Sequence, residues 1–104
     1  GRFIMLWCIT CVDKPGDSTA RLSVLETHRA YLKTQDDKIV MSGATLSDDG
    51  ETMTGSCFII SANSRSEAEA FSNGDPFTAA GVFESVNITR MKKSSFYPDN
   101  YEKA

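Results

Sequence analysis

The stretch from Phe3 to Val12 is apolar at nearly every position, and it constrains the fold more than any other feature of the chain. A strand with one wet face alternates apolar and polar residues, whereas an unbroken apolar run needs cover on both faces. The run falls well short of the ~20 residues that span a bilayer. One Arg precedes it and no small-residue cleavage site follows, so it does not read as a signal peptide.

The signals around it order the remaining elements. Asp13-Lys14-Pro15-Gly16 is turn chemistry, and Asp17 or Ser18 can cap a helix running to about Lys33. Ile39 to Ala44 reads as a second strand. Asp48-Asp49-Gly50 marks a hairpin, and Ser56 to Ala62 is a third strand holding the apolar run Cys57-Phe58-Ile59-Ile60. Ser64 and Glu67 form a capping box that opens a helix through Phe71, with Asn73-Gly74 as a left-handed stop. Asp75-Pro76 restarts a short helix, with Asp75 as cap and Pro at the first helical position, and Gly81 ends it. Phe83 to Met91 is a fourth strand. Lys92 to Ala104 is a polar tail carrying Phe96, Tyr97 and Tyr101.

The order βαββαβ predicts an α+β, ferredoxin-like sandwich with helices on one face of a four-stranded antiparallel sheet. Residues 1–92 form the domain and 93–104 its tail, and the length of 104 residues suits one domain. Strands one and three are apolar on both sides, but the helices cover only one. A second copy, giving a homodimer, is the simplest cover for the other face. The competing cover is the tail folding back.

Net charge is −3, with Lys and Arg scattered rather than gathered into a stripe, which argues against nucleic acid as a partner. Three cysteines, an odd number, argue against a disulfide framework. Cys8 and Cys11 spell C-x-x-C, yet strand parity sends positions three apart to opposite faces, so they read as small buried hydrophobes. Reduced thiols without an export signal point to the cytoplasm.

The first helix carries the chemical anomaly. At about 100° per residue, Ala20, Leu22, Val24, Leu25, Tyr31 and Leu32 share a broad apolar arc, with Ser23, Glu26, Ala30 and Lys33 outside it. Arg21 and His28 fall near the middle of that arc. A cation and a titratable ring belong on an inward face only if they are paired or line a pocket. His28 is the single histidine, and imidazole is the usual proton-transfer group near neutrality. Asp75 can orient it, although a cap before Pro needs no further role. One histidine and no Cys/His cluster cannot build a standard zinc site, and no glycine-rich phosphate loop is present, so neither metal nor cofactor is implied.

The chain resembles the YCII (YciI-like) family. The resemblance rests on Asp13-Lys14-Pro15-Gly16, Arg21, Thr27-His28-Arg29-Ala30-Tyr31-Leu32, Ser42-Gly43-Ala44, Asp48-Asp49-Gly50, Asn73-Gly74-Asp75-Pro76-Phe77 and Ala80-Gly81-Val82-Phe83-Glu84, spanning about residues 3–92. It implies a ferredoxin-like domain whose sheets pair into a dimeric α/β barrel, with a His–Asp pair at His28 and Asp75. Family members often carry Gly-Pro where this chain has Gly43-Ala44, which alters the expected pocket rim. A relative acts as a dehydrochlorinase on a chlorinated hydroxyquinol, and the wider barrel superfamily includes muconolactone isomerases and small monooxygenases.

Two functions follow as expectations. In the first, the chain is a cofactor-free lyase or isomerase for a small organic, anionic or aromatic molecule. His28 moves the proton, Asp75 holds its tautomer, Arg21 binds an anionic oxygen, and Ser42 and Phe77 contact substrate. In the second, it is a non-catalytic dimeric module that binds a small ligand or regulates a partner. The enzyme reading needs His28 facing an open cavity within reach of Asp75.

Overall fold

Strand parity, caps and turns assemble into the sandwich that the element order predicts. The structure, a computed structural model, describes residues 4–16 and 18–104. Its elements are β1 (Met5–Asp13), α1 (Thr19–Ser23), α2 (Leu25–Thr34), β2 (Ile39–Leu46), β3 (Met53–Ala62), α3 (Arg65–Gly74), α4 (Pro76–Ala79), β4 (Phe83–Met91) and α5 (Pro98–Lys103). The sheet order is β2-β3-β1-β4 with every pairing antiparallel. This is the ferredoxin-like arrangement, with the two most apolar strands in the middle.

Alternation along β1 sends Trp7, Ile9 and Cys11 to the helix side, where they join Phe58, Ile60, Ala62, Ala68 and Phe71 in one buried core. The Trp7 indole N–H satisfies itself on the Ala62 carbonyl at 3.2 Å. The other face carries Leu6 and Cys8 of β1 opposite Met91 and Thr89, and Ile59 and Cys57 of β3 opposite Met41 and Gly43. Cys8 and Cys11 thus part to opposite faces. Register also brings Cys8 beside Cys57, since Cys8 pairs with Ile59 and Thr10 with Cys57. Burial and this neighbouring thiol push the Cys57 pKa up. The described cysteines are all free thiols.

Three local readings change. The helix expected to run unbroken to Lys33 is broken at Val24, whose φ of −119° and ψ of 16° make it both the end of α1 and the start of α2. Asp17 lies outside the described residues, and Ser18 takes the cap position of α1 without a side-chain hydrogen bond. Gly74 is no left-handed stop. It lies within α3, and a Cβ there would fall 2.6 Å from the Tyr31 hydroxyl oxygen, so the position is small because two helices touch. Gly81 does take the left-handed conformation expected of it, at φ +70°.

The capping box forms, with the Glu67 N–H donating to Ser64 Oγ at 3.2 Å. The Glu67 carboxylate reaches back to the Asn63 N–H at 2.8 Å, one residue before the cap. The tail contains α5, which its polar composition concealed. It passes Val40 and Met41 but does not bury itself: Phe96, Tyr97 and Tyr101 remain 71%, 70% and 63% exposed. A cavity of about 480 Å³ opens between the tail and Leu6, Ile59, Met41 and Met91. Among the described residues, no helix is long and apolar enough to cross a membrane.

Candidate functional site

The break at Val24 lets α1 and α2 each turn a polar residue inward. Arg21 is 3% exposed and His28 8% exposed, both more buried than the apolar residues around them. The Val24 carbonyl accepts the His28 N–H at 2.9 Å, so the same residue that ends α1 starts the turn carrying the imidazole.

His28 Nδ1 lies 2.7 Å from Asp75 Oδ1. Asp75 is 2% exposed, and its Oδ1 also accepts the Phe77 N–H at 2.9 Å. Helix cap and imidazole partner are therefore one oxygen, not alternative roles. With that oxygen accepting, Nδ1 carries a proton, and in the neutral ring Nε2 presents its lone pair. Among the described residues Nε2 has no hydrogen-bond partner, and no buried side-chain nitrogen or oxygen is left unsatisfied, so Nε2 keeps contact with solvent.

Phe77 forms the plate of the site. Its ring stacks on His28 with centroids 3.8 Å apart and planes 9° apart, and the Arg21 guanidinium carbon stands 4.6 Å from its centroid. Phe58 meets His28 edge-on at 6.3 Å. Phe77 has no exposed surface, and its ring fixes the imidazole from below.

Arg21 is held by two residues that sequence reasoning did not name as its partners. Its Nε and Nη2 donate to Asp13 Oδ2 and Oδ1 at 2.8 and 2.9 Å, and Nη2 also donates to Ser56 Oγ at 2.8 Å. Nη1 has no partner among the described residues. An inward arginine needs a carboxylate, and Asp13 stands at the end of the most apolar strand; that was the available signal, masked by reading Asp13 only as a turn residue. Ser42 pairs with Phe58 across β2 and β3, half-buried on the helix side of the sheet, with no hydrogen bond to the cluster among the described residues.

The Asp75 carboxylate also acts beyond the imidazole. After burial it is the second influence raising the Tyr31 pKa, and that phenol stays a donor to the Phe71 carbonyl at 2.8 Å. Burial first, and Asp75 second, push the Cys11 thiol up to about 12. A cavity of about 230 Å³ borders the cluster, lined by Asp13, Lys14, Pro15, Gly16 and Arg21 among others, and His28 is not in its wall.

Residues 5–92 match the YCII-related domain. The chain belongs to the YCII family. It is 33% identical over 96 residues to Protein YciI of Escherichia coli and, equally, to that of Shigella flexneri, covering 86% of this chain and 98% of each relative. Among solved structures, it is similar to the 5-chloro-2-hydroxyhydroquinone dehydrochlorinase TftG from Burkholderia phenoliruptrix, in complex with 2,5-dihydroxybenzoquinone. The TM-score is 0.79 at 37% identity, covering 86% of this chain and 96% of that one. These likenesses support the ferredoxin-like fold of the YCII chain.

Proposed function

We propose that this YCII protein is a cofactor-free lyase or isomerase in which His28 moves a proton on a small hydroxylated aromatic molecule. The observation that carries the reading is the 2.7 Å bond from Nδ1 to Asp75, which leaves Nε2 unpartnered and water-accessible. That arrangement suits a general base, with the carboxylate fixing the tautomer and stabilising the imidazolium once it forms. Dehydrochlorination, the activity of the similar TftG, needs little more. One hydroxyl proton moves to the chlorine-bearing ring carbon, a second hydroxyl loses its proton, and chloride departs with the C–Cl electron pair, so the ring becomes a hydroxyquinone without an external oxidant. Arg21 would steady a developing oxyanion through Nη1, which has no partner among the described residues.

The working form is a homodimer joined by the open sheet faces, since Met41 and Met91 stay exposed there and the tail borders Leu6 and Ile59 without filling the cavity over them. The free thiols support a reducing compartment such as the cytoplasm.

Incubation with 5-chloro-2-hydroxyhydroquinone, followed by chloride release and quinone absorbance, tests the reading. His28→Ala should lose about 10²- to 10⁴-fold in rate, the usual worth of general acid–base catalysis. Turnover unchanged in His28→Ala would end it. One observation favours a second reading, a non-catalytic ligand-binding module: His28 is absent from the wall of the neighbouring cavity. That module would bind the same compound without releasing chloride.

A further inference from the structure

We infer that Tyr31 is a positioning residue for the His28–Asp75 pair, its hydroxyl tying the helix that carries the imidazole to the turn that carries the carboxylate. That turn has a backbone cause. A proline disfavours helical geometry in the residue before it, and Asp75, ahead of Pro76, is extended at φ −67° and ψ 126°. In a continuing helix the Asp75 N–H would donate to the Phe71 carbonyl, four residues back. It donates instead to the Ser72 carbonyl at 3.3 Å. The Phe71 carbonyl is thereby released at the edge of the core, where an unpaired acceptor is costly. The Tyr31 hydroxyl donates to it at 2.8 Å.

Both ends of that bond lead to the pair. Tyr31 follows His28 by three residues on α2, so the two side chains leave one side of the helix from neighbouring positions. Phe71 lies one turn before Asp75 at the end of α3. The rings between them are in contact, with centroids 6.0 Å apart for Tyr31 and Phe71, 5.4 Å for Phe71 and Phe58, and 6.3 Å for Phe58 and His28. Gly74 belongs to the same device. A Cβ there would fall 2.6 Å from the Tyr31 hydroxyl oxygen and 3.0 Å from Cζ, so a side chain next to Asp75 would displace the hydroxyl or lever α2 away. The Asp75 carboxylate stands second to burial in raising the Tyr31 pKa, which puts phenol and carboxylate within each other's field. Thr78 supplies the contrast. Its Oγ1 donates to the Ser72 carbonyl at 2.8 Å and closes the same helix end, but it joins α4 to α3 and not α2.

The single histidine lets the pair be read directly. Long-range ¹H–¹⁵N spectra of the neutral imidazole report which ring nitrogen holds the proton, and thermal melts report stability alongside. The wild-type ring should hold it on Nδ1. Tyr31→Phe, which keeps the ring and removes the hydroxyl, should shift the balance about tenfold toward the Nε2–H tautomer, the effect of loosening one ordinary hydrogen bond. Gly74→Ala, which leaves Tyr31 in place and crowds its hydroxyl, should shift it the same way and decides the matter if Tyr31→Phe does not fold. Thr78→Val should lower Tm and leave the tautomer unchanged. A second arm rests on the proton-transfer reading: with 5-chloro-2-hydroxyhydroquinone, Tyr31→Phe should lose about tenfold in kcat with KM within about twofold. A wild type that releases no chloride would end that reading, while a tautomer shift in the variants would still support the positioning role. A wild-type tautomer balance in folded Tyr31→Phe, or an equal shift in Thr78→Val, would overturn it.

Discussion

Because Asp75 Oδ1 serves both the Phe77 N–H and the His28 ring, two substitutions at this position separate hydrogen bonding from charge. Asp75→Ala removes the acceptor. It loses a helix cap, worth about 1 kcal/mol, and leaves the imidazole N–H buried without a partner, costing about 1–3 kcal/mol. Since one atom makes both bonds, the terms are not independent, and a total of about 3 kcal/mol is the expected ceiling. For a domain of this size that is a fall in Tm of roughly 12–24 °C. Asp75→Asn keeps an oxygen that accepts both bonds and caps a helix about as well. It should cost under about 1 kcal/mol in stability while removing the negative charge. Chemical and thermal denaturation followed by circular dichroism measures both variants. Equal destabilisation by Ala and Asn would refute the shared-acceptor argument, since only the charge would then matter.

Two further outcomes follow from the sheet. Light scattering at micromolar concentration should give twice the chain mass, and Ile59→Lys, placing a cation at the middle of the open face, should return the monomer mass with the circular dichroism spectrum retained; a wild-type monomer would refute the face-to-face dimer. Cys11 should resist alkylation in the folded chain and react on unfolding, because burial raises its pKa from 9.0 to about 12. A thiol whose folded pKa is raised contributes stability that is fully present below the unfolded value, so stability should decline as pH climbs from about 9 toward 12. Substituting Cys11→Ala should flatten that part of the profile, and an unchanged slope would count against it.

Much of the fold was legible because local chemistry and global pattern agree. The unbroken apolar run placed β1 at the centre of the sheet, and Asp75-Pro76 started α4 as read. Phe83 to Met91 became β4 with its expected ends. Helix phase correctly sent Arg21 and His28 inward, but for an incomplete reason. A helical wheel assumes one axis, and the chain changes axis at Val24, which no glycine or proline announces. The ion pair with Asp13 and the bond to Ser56 join residues from three separate elements, and pairings of that kind depend on how the elements pack rather than on spacing along the chain. Gly74 misled for a related reason: glycine marks either a left-handed turn or a close approach, and only the position of Tyr31 tells which.

The central place of β1 has a kinetic consequence. Its hydrogen-bonding neighbours on both sides, β3 and β4, come later in the chain, separated from it by helices and by β2. As the chain leaves the ribosome, the most apolar strand emerges before either partner and cannot complete its pairing until the last strand follows. Such distant pairing slows folding and prolongs the exposure of unpaired strand edges. A nascent chain of this kind is a natural client for a chaperone that binds extended apolar segments, and β1 is the segment it would hold.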